Sequence, residues 1–339
     1  MTRPRVLFRA DASHAIGFGH VARICALIEE SVERGYEPVV LFGGDPPSVE
    51  AWTRARGLHV QARHWSTTEA IQACRDARVR AVVIDGPVLA AQLAAPLAAE
   101  GMPIVLVDDL GDLAQPCAAV VNHNFEAPAL ARTYPHAGDR LLGRRYLLLR
   151  RDIRRYTRGS CRPLAYGRLR VAITFGGSDP AGATVRTLCA MPSERPLELV
   201  TILGPAFHDD RALHQAIAAA REAGHVVDVR RAPDDPGALF ATADAAICSA
   251  GGTLGELAYL GCPAIAFAIV PDQMATARAQ ASAGLVACGR AWTELDDETL
   301  QAELRAFLGD DRARGELRRR ALDTADSEGP RRVCDALFA

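Results

Sequence analysis

The sequence predicts an α/β protein made of two parallel, doubly wound halves. Three observations carry this. Short apolar runs that end in Gly, Asp or Asn alternate with amphipathic stretches along the chain. At 339 residues the chain exceeds the usual single core, and two domains of about 150–170 residues are the natural division. A Leu-, Arg- and Tyr-rich break with Gly159, Pro163 and Gly167 separates two series of the same kind.

In order, strand signals fall at 5–9, 38–42, 58–61, 80–85, 104–108 and 120–122, with helical patterns at 20–34, 48–56, 67–77 and 88–100 between them. The second series places strands at 169–175, 197–203, 226–230, 244–248 and 263–268. Its helices lie at 181–190, 211–222, 236–242, 253–260 and 272–283, and a charged helical stretch covers 295–339. Strand and helix in alternation mean right-handed crossovers and parallel sheets. The domains are therefore expected at 1–145 and 169–322, joined by a linker at 146–168 and followed by a C-terminal helix at 323–339. Ligands of such folds bind outside the strand C-termini, where strand order switches. Two such ends facing across a cleft put the candidate sites in the loops at 10–20, 85–87, 108–112, 122–125, 175–180, 204–208, 249–256 and 269–273.

Composition excludes several classes. A net charge of −2 points away from nucleic acid and anionic membranes. No apolar run reaches the roughly 18 residues of a membrane span, and no signal peptide precedes the first strand. Nine cysteines, none in a Cys-x-x-Cys pair, suit reduced thiols and a cytoplasmic location. The chain has no lysine; all 39 basic residues are arginine. Schiff-base chemistry and a phosphate-binding P-loop lysine are thereby excluded.

The first loop carries Arg9-Ala10-Asp11-Ala12-Ser13 and Ile16-Gly17-Phe18-Gly19-His20-Val21-Ala22-Arg23. Gly17 and Gly19 permit close approach of a ligand, and His20 opens a helix. There the positive helix end disfavours imidazolium, so a neutral general base is expected. A strand-to-helix turn with a capping histidine fits the same residues. The strongest ligand signal is Ser249-Ala250-Gly251-Gly252-Thr253-Leu254-Gly255-Glu256 after an apolar strand. Ser249, Gly251, Gly252 and Thr253 suit a diphosphate at a helix start, and Glu256, one turn on, suits ribose hydroxyls. An acid in a helix's first turn also complements the dipole without any ligand. Phe175-Gly176-Gly177-Ser178-Asp179-Pro180 reads either as a second lining of the diphosphate site or as a plain turn before a helix. Asp108, Asp109, Asn122, His123 and Asn124 end strands and can orient His20, contact substrate or cap the next element; His14 and His123 are further candidate bases. No Asp-x-Asp pattern of the kind that holds a metal-bound nucleotide diphosphate occurs, so a metal-independent reaction without a resident cofactor is expected.

These motifs recur in order in a known family. Arg-x-Asp-x-Ser, Ile-Gly-x-Gly-His, Val107-Asp108-Asp109-Leu110, Val121-Asn122-His123-Asn124, Leu142-Gly143-x-x-Tyr146, the 175–180 and 249–256 motifs and Gly261-x-Pro263 together span nearly the whole chain. The chain resembles the UDP-sugar hydrolases of the pseudaminic-acid pathway and their spore-coat polysaccharide relatives. These in turn resemble the lipid II-forming N-acetylglucosaminyltransferase and share its GT-B fold. The resemblance implies a UDP-sugar held by the C-terminal half, with Glu256 at the ribose and Gly251, Gly252 and Thr253 at the diphosphate. It also implies that His20 activates the nucleophile that displaces UDP with inversion. Asp11, Gly17, Gly19, Arg23, Asp85, Asn122, Asp272 and Gln273 are the expected substrate-side residues; Gly176, Gly177 and Ser249 join the nucleotide side.

Two positions depart from the family. Its Asp-x-Tyr is here Asp85-Gly86-Pro87, without the phenol, and its Asn-Gln is Asp272-Gln273. The nucleotide end is kept while the reaction end has changed. This favours an inverting transferase with a small-molecule acceptor over a hydrolase releasing UDP and a free amino-deoxy sugar. One candidate is transfer of a UDP-hexuronate to a pyrimidine base, of the cytosylglucuronate synthase type, with Arg9 and Arg23 as a fork for the sugar carboxylate. A non-catalytic nucleotide-sugar sensor is the reading from another class, and the retained His20 speaks against it.

Overall fold

The computed structural model describes residues 3–13, 16–111, 113–161 and 167–338. The chain divides into two units, Met1–Arg151 with Ser327–Ala339, and Asp152–Asp326. The division falls inside the stretch expected as a linker. Residues after Ser327, expected as a separate terminal helix, belong with the first unit. Pro163 and its neighbours at 162–166 lie outside the described residues, as does His14.

The first unit carries strands β1 (Arg5–Ala12), β2 (Glu37–Gly44), β3 (Ala81–Asp85), β4 (Ile104–Val107), β5 (Cys117–Asn122) and β6 (Ala137–Leu142). Its helices are α1 (Gly19–Glu33), α2 (Pro46–Arg54), α3 (Thr67–Ala77) and α4 (Pro87–Ala99). The strands form one parallel sheet in the order β2-β1-β3-β4-β5-β6. β4, and β3 up to its terminal Asp85, are apolar and buried, and β1 is almost wholly buried with Arg9 among its apolar residues, as expected for a sheet covered on both faces. Leu7, Ile84, Leu93, Leu97 and Leu106 anchor one side of that core. α1 buries Val21, Ile24, Cys25, Leu27 and Ile28, the recurrence of one helical face.

The four-residue helix α5 (Arg151–Arg154) contains the division. The second unit carries β7 (Arg170–Thr174), β8 (Glu198–Leu203), β9 (Val226–Arg231), β10 (Ala245–Ser249), β11 (Ala264–Ala268) and β12 (Ala287–Ala291). Its helices are α6 (Ala183–Cys189), α7 (Asp210–Glu222), α8 (Pro236–Ala241), α9 (Thr253–Leu260), α10 (Met274–Ser282), α11 (Asp297–Gly309) and α12 (Asp311–Leu322). The sheet is parallel, in the order β12-β11-β10-β7-β8-β9. Trp292 packs edge-on against Phe267 and tilted against Phe175, joining the strand ends to the helical side of the core. α13 (Gly329–Phe338) lies in the first unit on α1, where Phe338 stacks on Tyr36 and Arg34 pairs with Asp335.

Three strand expectations need correction. No strand forms at 58–61. The segment follows α2, where the Leu58 N–H bonds the Thr53 carbonyl, and the chain meets β2 beyond it, through the N–H of Arg63 and the indole of Trp65 on the carbonyl of Phe42. β6 and β12 go unpredicted, because Gly138, Asp139 and Arg140 in one and Gly289 and Arg290 in the other break the apolar pattern. Both are edge strands, covered on fewer sides, so the burial that writes alternation into a sequence is weak there. Among the described residues no helix is long and apolar enough to cross a membrane. None of the nine cysteines is in a disulfide.

Candidate functional site

In the first unit strand order reverses between β1 and β3, which leave their shared edge in opposite chain directions around the sheet. His20 follows β1 and Asp85 ends β3, so both stand at this switch point. The loop between β1 and α1 is shaped by its own residues. Gly17 adopts φ +73, its N–H bonding the carbonyl of Ser13 at 2.8 Å. Phe18 is buried against the Trp52 ring, 5.9 Å between centroids, and fixes where α1 begins. On the other strand Gly86 takes φ +118, a conformation that requires glycine, and Pro87 starts α4 at once. Asp85 is thereby left at the very end of β3.

A closed charge network joins these ends. His20 Nδ1 donates to Asp85 Oδ1 at 2.7 Å. Arg23, one helical turn along, donates from Nε to Asp85 Oδ2 at 2.5 Å and from NH2 to Asp85 Oδ1 at 2.6 Å. Its NH1 reaches Asp109 at 2.5 Å, after β4. Asn124 Nδ2 also donates to Asp109 Oδ1, at 3.2 Å. Arg23 NH2 also lies 3.0 Å from His20 Nδ1, but it has Asp85 Oδ1 as a closer acceptor. Because an ionised carboxylate only accepts, the shorter Asp85 contact assigns the proton to Nδ1 and the lone pair to Nε2.

The electrostatics correct the sequence expectation for His20. The Asp85 carboxylate raises its pKa above the ordinary histidine value, against the burial that lowers it; the Asp85 hydrogen bond adds to the rise and Arg23 subtracts. A full charge at 2.7 Å outweighs the fractional charge of the helix end. Asp85 itself is pushed up by burial, but Arg23 and His20 more than offset this and hold it below the usual carboxylate range. Asp109 is likewise lowered, Arg23 overcoming its burial.

In the second unit the switch lies between β7 and β10. Gly176 and Gly177 follow β7, and Ser249, Gly251, Gly252 and Thr253 follow β10, so the two glycine turns are neighbours at the sheet's end. Gly176 has φ +84, and a Cβ on Gly204 would meet the Gly177 carbonyl at 2.2 Å. Those glycines answer to the fold. Gly252 does not: its backbone is helical, φ −55, and a Cβ there would meet nothing within 4 Å. At the start of α9 the N–H groups of Leu254 and Gly255 turn back to the carbonyls of Gly251 and Gly252, both at 3.0 Å, so the donors that face outward lie before them, in the Gly251-Gly252-Thr253 turn. Gln273 lies beside this turn, its Nε2 3.5 Å from where a Gly251 Cβ would stand, while its Oε1 accepts from the Ile269 N–H. Asp272 is exposed on the same short 3-10 turn. Glu256 lies in the first turn of α9, half-buried.

No protein-family model matches this chain, and no curated protein matches its sequence. Solved structures match it over nearly its whole length. MurG of Acinetobacter baumannii superposes with a TM-score of 0.69 at 18% identity, covering 98% of this chain and 99% of that one. A putative UDP-N-acetylglucosamine 2-epimerase from Listeria monocytogenes gives 0.66 at 12% identity, covering 98% and 95%. The spinosyn rhamnosyltransferase SpnG, complexed with spinosyn aglycone, gives 0.63 at 18% identity, covering 98% and 100%. The chain has the GT-B fold. At these identities the likeness is one of fold, and the site rests on the residues themselves.

Within this GT-B fold several expected substrate residues turn inward. Asn122 is fully buried, donating to the Tyr134 hydroxyl at 2.9 Å and accepting from the Asn124 N–H, so it shapes the strand end and offers no group to a substrate. Asp108 accepts from the Gly111 N–H and the Tyr134 hydroxyl and serves as a turn cap. His123 is buried, takes the Leu148 N–H on Nδ1, and has its pKa pushed down to about 4 by burial, then by Arg23; it is a neutral structural group. The arginine fork fails too. Arg9 is buried on Asp11 and the carbonyls of Ala10 and Leu41, and Arg23 is held by two aspartates. Asp109 and Asn124, named in the sequence only among strand-end polar residues, prove to complete the network. The signal that could have singled them out is their place after β4 and β5, beside the switch point.

Proposed function

We propose that this protein is an inverting, UDP-sugar-dependent glycosyltransferase acting on a small-molecule acceptor. One observation carries the reading: a histidine with its Nδ1 proton fixed by a buried aspartate stands at the switch point of a GT-B sheet. The second unit supplies the nucleotide side. The Thr253 hydroxyl and the N–H groups of the Gly251-Gly252-Thr253 turn receive the diphosphate, Gly251 and Gly252 leave room for it, and Glu256 accepts from ribose hydroxyls. That turn offers backbone donors where other enzymes use a cation, which favours a metal-independent reaction.

In the reaction His20 Nε2 takes a proton from the acceptor as its lone pair attacks the anomeric carbon. The bond from that carbon to the diphosphate oxygen breaks, UDP leaves, and a single displacement inverts the centre. Asp85 stabilises the imidazolium that forms, and Arg23 holds Asp85 in place. MnaA, a structural neighbour, is described in complex with UDP, and SpnG with thymidine diphosphate. A hexuronate donor loses the support that Arg9 and Arg23 had given it. Water as acceptor is the second reading, because His20 retains 23% side-chain exposure and activates water by the same step.

The discriminating experiment incubates the protein with a panel of UDP-sugars, with and without acceptors. Release of UDP that depends on an acceptor is expected; rapid release without one would overturn the transferase reading. His20→Ala is expected to keep UDP affinity and lose turnover by at least ~100-fold. Full activity in that variant would remove His20 as the base.

A further inference from the structure

We propose that the acceptor is an uncharged, apolar molecule bearing one nucleophilic hydroxyl, seated on Ile16, Val88 and Leu110 around His20. The inference rests on the transferase reading and names its acceptor class.

Large apolar side chains are exposed at five places among the described residues, and three of them are these: Ile16 at 51%, Val88 at 66% and Leu110 at 40%. The three follow β1, β3 and β4, which are neighbours in the sheet. Each stands within four residues of a member of the charge network, Ile16 before His20, Val88 after Asp85 and Leu110 after Asp109. Scattered apolar residues need no explanation, but three grouped at a strand-end site do. Pro87, also exposed, adds to the same face.

The polar groups there are occupied with one another. Arg23 is held by Asp85 and Asp109, Arg9 by Asp11, and Asp108 by Tyr134 and Gly111. Among the described residues, what an acceptor meets is non-polar contact, a hydrogen bond to His20 Nε2, and the part-exposed carboxylates of Asp11 and Asp109, which only accept. A pyrimidine base brings several donors and acceptors and would leave most of them without partners. Among the described residues an anion meets Asp11, Asp85, Asp108 and Asp109 against Arg9 and Arg23, a surplus of negative charge when His20 is the neutral base. A neutral apolar alcohol meets neither obstacle. Its hydroxyl proton goes to His20 and on to solvent, its oxygen bonds the anomeric carbon, and UDP departs with the electron pair of the broken bond.

The test measures binding of 2-naphthol, 2-naphthoate and cytosine to the full chain, beside UDP. Native protein is expected to bind 2-naphthol at least tenfold more tightly than 2-naphthoate or cytosine. Val88→Asp and Leu110→Asp, both surface changes, are expected to weaken 2-naphthol at least tenfold while UDP affinity stays within twofold. Cytosine binding as tightly as 2-naphthol, or 2-naphthol binding unmoved in both variants, would overturn the inference. Failure of the native protein to bind UDP would instead strike the transferase reading, with the naphthol result standing separately.

Discussion

His20 is legible in the sequence as a histidine at a helix start, but its ionisation is not. Asp85 lies 65 positions away, and only the β1–β3 pairing brings the two side chains together. That contact reverses the direction expected from the dipole. A base must be neutral, so a raised pKa places the acid limb of kcat/KM above the ordinary histidine value near 6.5. In Asp85→Asn the limb is expected to move to lower pH and the plateau rate to fall by roughly 10- to 100-fold. A limb that stays put in the pH–rate profile would mean that Asp85 is not its cause. The same shift has a stability consequence of definite sign. The fold binds this proton more tightly than the unfolded chain, so the stabilisation is fully present below pH 6.5 and is lost as pH rises through the raised value. Arg23 shows the other side of residue-scale reading. Its position beside His20 suggested a ligand for substrate, whereas two aspartates from different strands occupy it.

At the scale of elements, glycine turns divide into those the fold demands and those it does not. Gly204 abuts the Gly177 carbonyl, whereas Gly252 faces open space with an ordinary helical φ. Gly204→Ala is expected to destabilise the protein by about 1–3 kcal/mol through overpacking. Gly252→Ala is expected to leave thermal stability unchanged and to weaken UDP at least tenfold. The pair is read by melting curves and UDP titration; a stability loss in Gly252→Ala would return that glycine to a structural role. The βα order and most element positions were legible because central parallel strands are continuous apolar runs, as in β3 and β10. β6 and β12 were not, since an edge strand tolerates Asp139, Arg140 and Arg290. The empty strand at 58–61 failed for a complementary reason: local propensity wrote a strand where no partner completes a ladder.

At the scale of the molecule, each unit has its own sheet and its own core, and tryptophans report on them separately. Trp52 and Trp65 belong to the first unit and Trp292 to the second. If UDP binds at the α9 turn, saturating it at about 100 times its Kd should stabilise the second unit by roughly 2.7 kcal/mol. In a Trp52→Phe/Trp65→Phe variant the Trp292 transition is expected to move accordingly. In a Trp292→Phe variant the remaining signal is expected to move less. Equal movement of both would mean that the two units melt as one.

The return of α13 to the first unit has a consequence for how the protein is made. Asp152–Asp326 is one uninterrupted stretch, whereas the first unit needs residues on either side of it. On the ribosome, the second unit can be complete while α1 still lacks the helix that carries Val333, Cys334 and Phe338. At roughly 5–20 residues per second, synthesis of Asp152–Asp326 holds the first unit without α13 for on the order of ten seconds or more, an inversion of the usual N-terminal-first order. During it the surface of α1 that α13 will cover stands open to water. A nascent chain of this protein therefore finishes its second half first, and its first half waits on the last helix to close.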